Sequence, residues 1–83
     1  MEKRLGFVGI IIENRKQAAP AVNDVLTAFG DSIIGRMGIP HVKGDQSVIA
    51  LIVDASTDQV GSLTGKLGTI EGVSVKSALS KAV

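Results

Sequence analysis

Val8–Phe29, VGIIIENRKQAAPAVNDVLTAF, and Ile49–Ile70, IALIVDASTDQVGSLTGKLGTI, are two versions of one pattern, offset by 41 residues. In each, an apolar β-branched run ends in an acid, Glu13 or Asp54, and a polar stretch follows. Apolar residues then recur at the spacing of one helix face. A second strand-like run follows each copy, Ile33–Pro40 and Val73–Leu79. Two βαβ units in so short a chain predict βαββαβ, an α+β ferredoxin-like sandwich. Its four-stranded antiparallel sheet carries both helices on one face, with the first and third strands central. Residues 1–83 read as a single domain, without a linker or low-complexity tract.

Working outward, Leu5–Ile12 reads as a buried strand. A helix follows with Ala18, Val22, Val25, Leu26 and Phe29 on one face. Pro20 belongs in a first turn, which puts the start near Gln17 or Ala18, and Gly30 is the expected stop. Pro40 closes the second strand, and His41–Asp45 is a turn centred on Gly44. Ser47–Ala55 is the third strand. Ser56 with Gln59 three residues on forms a capping-box pattern for a second helix, whose inner face is Val60, Leu63, Leu67 and Ile70. The two central strands are apolar on both faces, whereas the edge strands alternate. A sheet with one open face should alternate throughout. A second copy of the chain is therefore expected to cover the open face.

Composition removes several classes of function. Hydrophobic residues make up 45% and mean hydropathy is +0.34, which describes a folded domain. Net charge is +1, divided as +2 over residues 1–44 and −1 over 45–83, with no basic run. Only Phe7 and Phe29 are aromatic. Nucleic acid is thus not an expected partner. There is no cysteine, which excludes disulfides, thiolate metal sites and cysteine nucleophiles. No apolar span is long enough to cross a membrane. The apolar N-terminal stretch ends at Glu13 with no small-residue cleavage site, so the expected location is cytoplasmic.

Candidate chemistry is sparse. Asn14, Arg15 and Lys16 precede a helix N-terminus, where free N–H groups and two cations can hold an anion; ordinary loop polarity is the simpler reading. Arg36 stands in a strand otherwise built of Ile, Gly and Met, facing a partner, a ligand carboxylate or solvent. His41 is the only histidine, an exposed turn residue unless a symmetric oligomer gathers copies. Glu13 and Asp54 read as acceptors for the helix starts beside them. Gly65-Lys66 lacks the spacing of a phosphate loop. The ligand-binding expectation rests on Asn14, Arg15, Arg36 and His41. No catalytic residue, metal site or cofactor is expected.

Asn14-Arg15 after an apolar strand, then a helix, Gly30 and IIGRMGI (Ile33–Ile39) resemble the start of an ACT-type regulatory domain. That resemblance implies small-ligand binding near the first strand–helix loop at a subunit boundary. The glycine usual in that loop is absent, with Gln17 near its place. Over most of the chain, IIGRMGIP (Ile33–Pro40), SVIALIVDASTDQVGSLTGKLG (Ser47–Gly68) and GVSVKSALSK (Gly72–Lys81) resemble a small family of regulators of the iron-only hydrogenase system. Its members are similar in fold to ACT domains and to the C-terminal domain of the nickel-responsive repressor. That repressor's His and Cys ligand cluster has no counterpart here. The resemblance implies a non-enzymatic, homo-oligomeric regulatory module with a small anionic ligand or a regulatory protein partner. The alternative is a small ferredoxin-like enzyme with its active site between subunits.

Overall fold

Strand β1 (Arg4–Ile12) alternates exposed and buried residues, because a pleated strand sends successive side chains to opposite faces. The computed structural model describes residues 2–81. After β1 come α1 (Arg15–Ala28), a 3₁₀ turn (Gly30–Ser32), β2 (Ile33–Lys43), β3 (Gln46–Ala55), α2 (Thr57–Gly68) and β4 (Val73–Leu79). The sheet order is β2-β3-β1-β4, with every pair antiparallel. This is the interleaved βαβ arrangement expected from the repeat.

The core lies between the sheet and the two helices. Val8, Ile10 and Ile12 of β1 and Leu51 and Val53 of β3 are at most 1% exposed. Val22 and Leu26 of α1 and Leu63 and Leu67 of α2 close over them. Asn14 caps α1 from an extended conformation, accepting the Gln17 N–H at 3.3 Å. Ser56 and Gln59 form the capping box of α2, with both reciprocal bonds present at 2.9 and 3.1 Å.

Of four local expectations, three are corrected and one holds. First, α1 starts at Arg15, earlier than Pro20 allowed, and the proline stands as its sixth residue. The Asn14 cap fixes the first turn, and Pro20 is exposed, so water can serve the Lys16 carbonyl that loses a donor. Second, α1 ends at Ala28 with Phe29 as its C-cap, so Gly30 stands just past the end as the expected stop and opens the 3₁₀ turn. Third, β2 runs through Pro40 and His41 to Lys43. An edge strand tolerates proline at a bulge, and the pairing is irregular between Ile39 and Lys43. The hairpin turn is Gly44-Asp45, with Gly44 at φ 62, the left-handed region that favours glycine. Fourth, the capping oxygens come from Asn14 and Ser56, not from Glu13 or Asp54.

The other face of the sheet is open and apolar. β4 alternates as expected, but β2 exposes most of its length. Phe7, Ile52, Met37 and Ile39 are about half exposed or more. Phe7 pairs with Ile52, and Gly9 with Ala50, so large side chains flank a small-residue centre. Depressions of 390 Å³ beside Phe7 and Leu79 and of 220 Å³ beside Gly9 and Ile11 lie along it.

Candidate functional site

One extra residue in β2 decides where Arg36 goes. Ile33 pairs with Val53 and Gly35 with Ile52, so Ile34 is bulged and the strand changes phase. Strict alternation from Ile33 would send Arg36 to the open face. The bulge instead pairs it with buried Leu51 and turns it toward the helices. Its Nη2 donates to Asn23 Oδ1 on α1 at 2.7 Å. That bond spans the gap between α1 and edge strand β2.

The gap is a groove of 170 Å³. On α1, Arg15, Ala19, Val22 and Asn23 line it, a set one helical face brings together. On β2 it meets Arg36 and Gly38, and on β3 Ser47 and Ile49. Ser47 is only 5% exposed, and its hydroxyl makes no hydrogen bond to a described residue. The Arg15 N–H donates to the Asp45 carbonyl at 3.0 Å, which ties the β2–β3 hairpin to the start of α1.

Arg15 and Arg36, far apart in sequence, therefore share one groove. Asn14 stands next to it, with its side-chain oxygen engaged in the cap. His41 lies outside the lining, in the irregular part of the hairpin at φ 54, with Nδ1 3.2 Å from the Gly44 carbonyl. Sequence reading missed Asn23 and Ser47. The available signal for Ser47 was its phase, since it starts the inward series Ser47, Ile49, Leu51, Val53 as the one polar member. Asn23 gave none, because its role depends on Arg36 across the groove. Among the described residues no cluster of three or more His, Asp or Glu is placed to hold a metal ion. No described helix is long and apolar enough to cross a membrane.

Sheet order, helix placement and groove define an ACT-like member of the ferredoxin-like folds. The chain belongs to the TM1266-like family, "Iron-only hydrogenase system regulator, putative", whose model matches residues 4–77. It is 38% identical to the uncharacterized protein TM1266 from Thermotoga maritima, covering 96% of this chain and 100% of that one, with a TM-score of 0.90. The ACT domain of GTP pyrophosphokinase from Chlorobium tepidum is similar in fold, at 22% identity and a TM-score of 0.73 over 92% of this chain and 99% of that one. So is CPII, a nitrogen regulatory PII-like protein from Thiomonas intermedia K12 bound to ADP, AMP and bicarbonate, at 20% identity and 0.54 over 94% and 91%. No curated protein matches the sequence.

Proposed function

We propose that this chain is a non-enzymatic regulatory module of an iron-only hydrogenase system. It binds a small anion in the α1–β2 groove and assembles with copies of itself through the open face of the sheet. The observation that carries the ligand reading is the convergence of Arg15 and Arg36 on one groove, with Arg36 held by Asn23. A guanidinium fixed in advance presents its fork to a carboxylate or phosphate at little further ordering cost. Asn14 contributes by holding the helix start that carries Arg15. His41 contributes at the rim, through the hairpin bonded to that same start. The assembly reading is supported by Phe7, Met37, Ile39 and Ile52, which present apolar surface across three neighbouring strands.

Calorimetric and thermal-shift titration with small anions at fixed ionic strength tests the ligand reading. A ligand at a hundredfold excess over its Kd should raise Tm by about 10 °C or more in a domain of this size. Arg36→Ala should abolish the shift. A chain that no small anion stabilises would remove the ligand reading, and a monomer at micromolar concentration by sedimentation would remove the assembly.

A further inference from the structure

We infer that the groove takes a short carboxylate bearing an uncharged oxygen at C2, a 2-oxo or 2-hydroxy acid. This rests on the reading of the groove as an anion site. Every polar side chain that lines it is able to donate a hydrogen bond. Arg15 and Arg36 only donate. Asn23 has its oxygen engaged by Arg36, which leaves its amide N–H₂ free. Ser47 offers its hydroxyl. Among the described residues no Asp or Glu lines the groove. A ligand ammonium would meet two guanidinium groups and no carboxylate, which disfavours 2-amino acids.

Ser47 carries the next step. It is more than nine-tenths buried, lines the groove, and makes no hydrogen bond to a described residue. Its hydroxyl has no partner among the described residues, so a ligand oxygen reaching it gains one neutral hydrogen bond that a plain carboxylate lacks. Size sets the limit. The 170 Å³ of the groove is well under the ~300 Å³ at which drug-sized pockets begin. That size favours a ligand smaller than a nucleotide. The apolar part of the lining, Ala19, Val22, Ile39, Pro40, Val48 and Ile49, favours a short hydrocarbon end over inorganic phosphate. The carboxylate sits on the Arg36 fork and the C2 oxygen on Ser47.

Pyruvate, lactate, propionate and alanine differ almost solely at C2, so calorimetry with these four, inorganic phosphate and AMP is the experiment. Pyruvate or lactate should bind tightest, with propionate about fivefold weaker for lack of one neutral hydrogen bond. Alanine should be weaker by about tenfold or more through like-charge juxtaposition. Ser47→Ala should erase the pyruvate–propionate difference by weakening pyruvate about fivefold more than propionate, a split that a merely structural role would not produce. Alanine, phosphate or AMP binding as tightly as the 2-oxo acid, or an unaltered split in Ser47→Ala, overturns the inference. If anions bind through Arg36 without preference at C2, the inference falls and the anion site stands. If none binds, both fall.

Discussion

Asn14 and Ser56 perform the same task at the two helix starts, but only Ser56 was assigned it from the sequence. The Ser56–Gln59 spacing is a two-sided signature, and both of its bonds form. Asn14 was read as a ligand residue because Arg15 and Lys16 follow it, and its one capping bond lacks a reciprocal partner. Asn14→Ala should lower stability by about 1 kcal/mol, visible as a reduced denaturant midpoint with an unchanged m-value. Gly6 is a second decisive residue. It faces inward where β1 meets β4, and a Cβ there would press into the Ala78 carbonyl and lie 3.1 Å from Leu79 Cα. Gly6→Ala should cost about 1–3 kcal/mol through overpacking, read by thermal unfolding. No pattern in the sequence marks this glycine, because the atoms it makes room for belong to a strand about seventy residues away.

Among the elements, β4 is readable because period-two alternation is set by the strand itself, and the body of β3 because a continuous apolar β-branched run marks a buried strand. β2 was readable as a strand but not in its phase. The Ile34 bulge moves Arg36 to the helix side and shifts Met37 and Ile39 to the open face. The phase of an edge strand after a bulge depends on its partner's pairing, which local sequence does not carry. The open face of β1 and β3 makes the element-scale prediction. Phe7→Lys places a charge on that face beside Ile52 while leaving the buried side of β1 untouched, since Phe7 is 60% exposed. Sedimentation should show the wild-type chain as an oligomer at micromolar concentration and the variant as a monomer that keeps its far-ultraviolet circular dichroism.

For the whole molecule, a chain of 83 residues buries only about two-thirds of its unfolded surface, so single core residues matter. Leu51 is fully buried at the middle of β3, between β1 and β2. Leu51→Ala should cost about 3 kcal/mol, a large part of the stability available to so small a domain, and chemical denaturation would measure it. The order of elements, the central pair of strands, the helix faces and the capping box of α2 were determined by the sequence alone. Each follows from periodicity, or from residues three or four apart, and such features survive in any compact arrangement of the chain. Tertiary structure decided the groove. Arg15, Asn23, Arg36 and Ser47 come from three elements, and only the pairing of β2 on β3 and the packing of α1 above them bring four separate donors to one small space. The repeated strand–helix pattern dictates that such a groove exists between α1 and β2. Which side chains line it depends on one bulged residue.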